Sequence, residues 1–195
     1  MAYTRDDAYE THKDYKENVN LWEYFIRSYN GGYDYTIGQY LNRYNLELDN
    51  EYNQRLGNTP CDNHCKNIIQ IYSSFLFRVK ASRDFGSMAD EPSLDSFLKD
   101  ADLEGNNFNS VMKQAQNYAA IYGHVFMILD KPAIQTRTRA EELNQEIRPY
   151  ISIVTPENVL DWNFKREVNG KYYLDYLKVR EEVDKDGGTY FRLWF

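Results

Sequence analysis

Apolar positions along this chain change period twice, and the clearest change lies in residues 106–132. There Phe108, Val111, Ala115, Tyr118, Ala119 and Tyr122 recur at three- and four-residue steps. That spacing stacks side chains on one face of a helix. Gly123 follows the last of them, where a left-handed residue commonly ends a helix. Val125, Phe126, Met127, Ile128 and Leu129 then run without a polar break, which predicts a strand buried on both faces. Asp130 and Pro132 close it, since proline cannot donate to a ladder. A helix delivering a central strand is the expected heart of the fold.

Upstream, the helical period dominates. Tyr15, Val19, Trp22, Phe25, Ile26 and Tyr29 form a stripe, which predicts a first helix over residues 6–29. Asp6 and Asp7 suit its positive end, and Asn30-Gly31-Gly32 stops it. Residues 33–46 carry Tyr33, Tyr35, Tyr40 and Tyr44 without period, and predict an ordered loop with a short turn at 37–41. Residues 47–57 read as a short helix or an extended link. Cys65, Ile68, Ile69, Tyr72, Phe75 and Leu76 share a face, which predicts a strong helix over 61–77. An acidic loop spans 84–92. Ser93 is a candidate cap for a short helix over 94–101.

Downstream, the two-residue period takes over. Residues 131–147 mix both charge signs and predict a solvated excursion, helical at 139–146. A strand is expected over 150–154. Thr155-Pro156-Glu157 reads as a cap followed by proline at the first turn. Strands over 162–168, 171–181 and 189–195 complete a meander. Its first turn is Asn169-Gly170, where both residues are expected at positive φ. The last strand ends on Leu193-Trp194-Phe195. Termini are normally polar and frayed, so the chain is expected to continue beyond this segment. The fold class is therefore α+β: N-terminal helices packed against a mainly antiparallel sheet that ends in a meander. The expected division is a helical region over 1–105 and a helix-plus-sheet region over 106–195.

Composition narrows the function classes. The net charge is −7 over 195 residues, which opposes tight sequestration of nucleic acid, because phosphates need a basic patch. Such a charge is compatible with DNA that passes nearby and is not held. No apolar run approaches eighteen residues, so no membrane partner is expected. The 18 tyrosines fit lateral interfaces, where the ring is buried and the hydroxyl paired. They fit ordinary core and sheet positions equally well.

Candidate chemistry is sparse. Cys61 and Cys65 with His64 offer at most three ligands, where a closed structural zinc site needs four. Two reduced cysteines are the better reading. No phosphate loop, nucleophile elbow or zinc-protease helix is present. His12, His64 and His124 are the histidines, and His124 reads as structural. Glu104, Asp130, Glu157 and Asp161 lie near element ends, where an acid/base pair could sit. Their spacing does not raise them above solvated or capping acids. No catalytic, cofactor-binding or metal-binding residue is assigned, and no cofactor is expected.

The order of phrases resembles that of tailed-bacteriophage portal proteins, the head–tail connectors at the capsid vertex. Four pieces carry the likeness. The first is Trp22-Glu23-Tyr24-Phe25-Ile26-Arg27 with Tyr40-Leu41 after it, and the second is residues 67–77 followed by Arg78. The third is residues 94–105 running into the helix and then Tyr122-Gly123-His124, the apolar strand and Asp130-Lys131-Pro132. The fourth is Arg148-Pro149-Tyr150-Ile151, then Pro156-Glu157-Asn158-Val159-Leu160-Asp161-Trp162. The resemblance implies a wing-type region and a homo-oligomeric ring, usually a dodecamer. It implies a channel for double-stranded DNA during packaging and ejection. It also implies docking to the major capsid protein, the terminase and tail adaptor proteins, in a virion assembled in the host cytoplasm. No catalytic role would belong to the chain. Portals run to several hundred residues, so channel-lining elements are not assigned here.

Two alternatives stand beside it. One is another head–tail connector or a minor capsid protein. The other is a carbohydrate-acting enzyme or glycan-binding module, motivated by tyrosine and tryptophan platforms among abundant carboxylates.

Overall fold

The computed structural model describes residues 10–60, 62–132, 138, 141–142, 147–183 and 188–194. The fold is α+β. Helices α1 (Lys13–Asn30), α2 (Gly32–Ile37), α3 (Asp49–Asn58), α4 (His64–Leu76), α5 (Pro92–Lys99) and α6 (Phe108–Tyr122) precede strands β1 (Phe126–Asp130) and β2 (Tyr150–Val154). A 3-10 turn, Pro156–Asn158, then leads into β3 (Val159–Arg166), β4 (Tyr172–Val183) and β5 (Gly188–Trp194). Strands β1 and β2 form one antiparallel pair, and β3-β4-β5 form an antiparallel meander. Among the described residues no helix is long and apolar enough to cross a membrane.

The chain divides into two compact units, one of Met1–Asn67 with Thr155–Phe195 and one of Ile68–Val154. The division expected at Gly105 lies inside the second unit.

In the first unit, α1 starts at Lys13, later than expected, and Asp6 and Asp7 lie outside the described residues. The start is set by His12, whose Nδ1 accepts the Asp14 N–H at 3.2 Å. The His12 N–H is itself given to the Leu160 carbonyl at 2.8 Å, so residue 12 is committed to a strand neighbour before the helix begins. The expected stripe does face inward, with Trp22 buried. Val159, Leu160, Leu177 and Val179 are buried in the same unit. The Lys178 side chain is buried between them in sequence and donates Nζ–H to the Glu10 carbonyl. Strand β3 begins at Val159, before the expected 162, because these two apolar residues are already core.

Residues 33–46 are not wholly irregular, since α2 adds a short helix. The next stretch is held by one cluster. Arg55 donates through Nε and Nη2 to both oxygens of Glu47, each at 2.7 Å, and also to the Asn42 carbonyl at 2.8 Å. Its guanidinium lies 4.5 Å from the Tyr44 ring. The Tyr52 hydroxyl donates to the Leu41 carbonyl at 2.9 Å. This pairing holds the Glu47 carboxyl well below its usual value, at about 2.

The β3–β4 hairpin forms as expected, but its turn differs. Gly170 alone takes positive φ, +87°, and its N–H closes on the Glu167 carbonyl at 2.9 Å. The result is a longer loop around a single left-handed glycine, not a two-residue turn with both residues left-handed. The turn expected at 184–188 is outside the described residues except for Gly188, and so is Phe195.

In the second unit, α6 matches its prediction. The Asn107 side chain accepts the Ser110 N–H at 3.0 Å, and Gly123 ends the helix at φ +86° with its N–H on the Ala119 carbonyl. Val111, Ala115, Ile121 and Tyr122 are buried. Ser93 is not a cap: α5 starts at Pro92, with Glu91 before it and no side-chain cap bond.

Strand β1 corrects an expectation. It alternates, with Met127 49% and Leu129 65% exposed. Among the described residues it pairs only with β2, in a register from Phe126↔Val154 to Asp130↔Tyr150. A strand with one neighbour and one covered face is not central, and five apolar residues in a row do not by themselves make it so. The helix expected at 139–146 lies mostly outside the described residues. Glu141 and Glu142 are helical, and the Lys131 Nζ meets Glu142 at 2.9 Å.

Two outcomes follow. A Cβ added at Gly123 meets no atom within 4 Å, so any cost of Gly123→Val is backbone strain. It should destabilise by about 1–2 kcal/mol, seen as a lower thermal midpoint, with Gly123→Asn milder. The Glu47 carboxyl is depressed in the fold, so its contribution is complete above its usual pKa near 4.5 and disappears as pH falls to about 2. The stability difference between the wild type and Glu47→Gln should therefore be level above pH 4.5 and shrink below it, as measured by denaturant titration at stepped pH.

Candidate functional site

Asp130, Asp161 and Glu157, three of the four acids near element ends, have structural partners. Asp130 accepts the Tyr150 hydroxyl at 3.1 Å and the Lys131 N–H at 2.8 Å. Asp161 accepts the Tyr176 hydroxyl at 2.8 Å and the Trp162 N–H at 3.0 Å. Glu157 takes the Thr155 hydroxyl at 3.4 Å, while its carbonyl takes the Tyr15 hydroxyl at 3.0 Å. Glu104 is exposed. Glu104 and Asp130 belong to one unit and Glu157 and Asp161 to the other.

The histidines are spread likewise. His12 stacks on Trp162 with ring centroids 4.2 Å apart. His64 opens α4 and is exposed. His124 packs edge-on to Phe126 at 5.5 Å, and desolvation lowers its pKa, so it is neutral at pH 7. Cys65 is a free, exposed thiol, and Cys61 lies outside the described residues. Among the described residues no group of three or more His, Cys, Asp or Glu is placed to hold a metal ion.

One cleft lies in the second unit, about 280 Å³ in volume, lined by Asp102, Glu104, Val111, Gln114 and Tyr150 among others. Its rim is the loop after α5. The Asp100 Oδ1 accepts the Gly105 N–H at 2.9 Å, and its Oδ2 takes Arg148 Nη2 at 2.6 Å. A second Arg148 bond reaches the Asp100 carbonyl. Asp102 receives the Glu104 N–H at 3.0 Å and the Asn106 amide at 2.7 Å. Desolvation works against its ionisation, yet these bonds prevail and hold its carboxyl below the usual range. The backbone completes the clasp, with Ala101 N–H on the Asn106 carbonyl and Ile151 N–H on the Ala101 carbonyl, both at 2.7 Å. Asp100 and Asp102 thus fix the loop, and the Ala101–Ile151 bond lays it on β2, while Glu104 is exposed.

What sequence reasoning missed is where the apolar side chains go. Of the predicted face of α4, Cys65, Ile68 (53%), Tyr72 (73%), Phe75 (68%) and Leu76 (63%) are exposed and Ile69 is half-buried; Ile71, outside that prediction, is 55% exposed. The residue of that helix that is buried is Ser73, whose hydroxyl has no partner. On the hairpin, Phe164, Val168, Tyr172, Tyr173 and Leu174 are also exposed. Tyr24, Tyr35 and Tyr40 instead pack on one another, with Tyr24 meeting Tyr40 edge-on at 4.7 Å. Mutual packing of this kind uses the ring faces that a flat sugar platform would need free. A helical period reveals that an apolar face exists but not whether the fold covers it.

No protein-family model matches the chain, and no curated protein matches it.

The clasp at Asp100 gives a test. Arg148→Met leaves the half-buried Asp100 carboxylate without its cation and should cost about 2–3 kcal/mol. Double-mutant comparison with Asp100→Asn should show strong non-additivity in denaturant unfolding.

Proposed function

We propose that this chain is a structural subunit, the N-terminal wing-type portion, of a tailed-bacteriophage portal ring at the capsid vertex. In this reading the ring forms the channel for packaging and ejecting double-stranded DNA. It docks the terminase, tail adaptors and major capsid protein, and the chain has no catalytic role or cofactor. The observation that carries the reading is the large apolar surface left exposed on α4 and on the β3–β4 hairpin. The two lie in different units, and on each of them exposed apolar side chains of this number mark an interaction site. The order of elements supports it too: helix, left-handed glycine, strand, its antiparallel partner, a proline turn and a meander follow one another as in the resemblance. The net charge of −7 suits a wall that DNA must slide past.

Native mass and negative-stain images of the purified chain test this. One copy is 23.2 kDa, so a twelve-membered ring would be about 280 kDa under closed symmetry. Rings with a central hole are expected. A strict monomer at high concentration in low and high salt, from this chain and from the complete reading frame, overturns the proposal.

A further inference from the structure

The exposed face of α4 has a distinct charge pattern. From Asn63 to Arg83 there is no Asp or Glu, while Lys66, Arg78, Lys80 and Arg83 are all present, in a chain whose net charge is −7. Arg78 and Lys80 are exposed just beyond the C-terminal end of the apolar face, while Lys66 lies on the opposite side of the helix, its Nζ 5.8 Å from the Tyr29 ring. Val79, 73% exposed, extends that face beyond the helix end. Ile68, Ile71, Tyr72, Phe75, Leu76 and Val79 together present on the order of 700 Å² of accessible surface. A standard stable interface needs about 800 Å² per partner. The face therefore nearly suffices for a specific contact.

The sign of the rim decides what can cover it. Two α4 faces packed antiparallel about a two-fold axis would offer Arg78 and Lys80 a single acid, Asp62 at the other copy's helix start. The chain holds the complementary surface directly after α4. Residues 84–104 carry seven carboxylates, Asp84, Asp90, Glu91, Asp95, Asp100, Asp102 and Glu104, against the single Lys99. Asp84, Asp90 and Glu104 are exposed there, and Met88 and Leu103 are 55% and 43% exposed among them. This segment is thus acidic with apolar side chains between the charges, the converse of the α4 rim.

We infer that the α4 face of one copy is covered by the 84–104 segment of a second copy. The contact joins different surfaces, so it is head-to-tail, and repeated copying closes into a ring or runs on as a filament. It rests on the ring reading in taking a second copy as the occupant, and adds which two surfaces meet.

The test uses the whole chain and reads native mass against concentration, with circular dichroism as a folding control. Phe75→Glu should abolish assembly while leaving the spectrum unchanged, since Phe75 is 68% exposed. Arg78→Glu/Lys80→Glu and Asp90→Lys/Glu104→Lys should each be monomeric alone and assemble when mixed. In that mixture each reversed face meets a surface of opposite sign. Self-pairing α4 faces would leave Asp90→Lys/Glu104→Lys assembled on its own, so its monomeric state alone is what separates the two arrangements. Rings from the wild type that persist in Phe75→Glu overturn this inference and leave the portal reading standing. Assembly that needs Phe75 but gives open filaments supports the inference and overturns the portal reading. A wild-type monomer that binds anionic phosphatidylglycerol vesicles through the same cations overturns it in favour of a membrane surface.

Discussion

Main-chain carbonyls need donors, and this chain supplies them repeatedly from side chains remote in sequence, three of the four bonds being part-buried. Lys178 reaches the Glu10 carbonyl, Tyr15 that of Glu157, Arg55 that of Asn42, and Arg148 that of Asp100. A buried carbonyl without a partner costs more than a hydrogen bond returns. These ties therefore place whole segments. The 39–58 stretch is shaped around Arg55 and Tyr52, the entry to α1 is drawn to β3, and the 100–106 loop is laid along β2. The last case accounts for Ala101, which has no exposure at all although it sits in a polar loop. Its N–H and C=O are both engaged, one within the loop and one by Ile151.

This economy has a consequence for the apolar residues. Burial in each unit centres on small sets, such as Val159, Leu160, Leu177 and Val179 in one and Val111, Ala115, Ile121 and Tyr122 in the other. Polar clasps position much of the remainder, so many large side chains are not needed inside. They collect on α4 and on the β3–β4 hairpin. Scattered exposed hydrophobes are ordinary, but a helix whose serine is buried and whose phenylalanine is exposed is turned inside out for a free monomer. The portal proposal and the head-to-tail contact are two levels of one argument, that this surface is completed by a neighbour.

Carboxylates take part in the same ties. Asp100, Asp102, Asp130 and Asp161 are held by arginine, tyrosine or backbone N–H groups. Of these, Asp102 has its carboxyl held below the usual range by such bonds.

The sequence alone determined features whose physics is local. The stripe of α1, the Asn107 and Gly123 ends of α6, the Pro156 turn and the Asn169-Gly170 hairpin all depend on residues within a few positions of one another. They gave the α+β class and the order of elements. Tertiary structure decided whatever depends on remote partners. The start of α1 follows from Leu160, and the half-exposed state of β1 follows from its having β2 as its neighbour among the described residues. The roles of Asp130 and Asp161 came from Tyr150 and Tyr176, brought to them by folding. The outward face of α4 was equally hidden, because periodicity records that a helix has an apolar side and is silent on whether the rest of the chain has surface left to cover it.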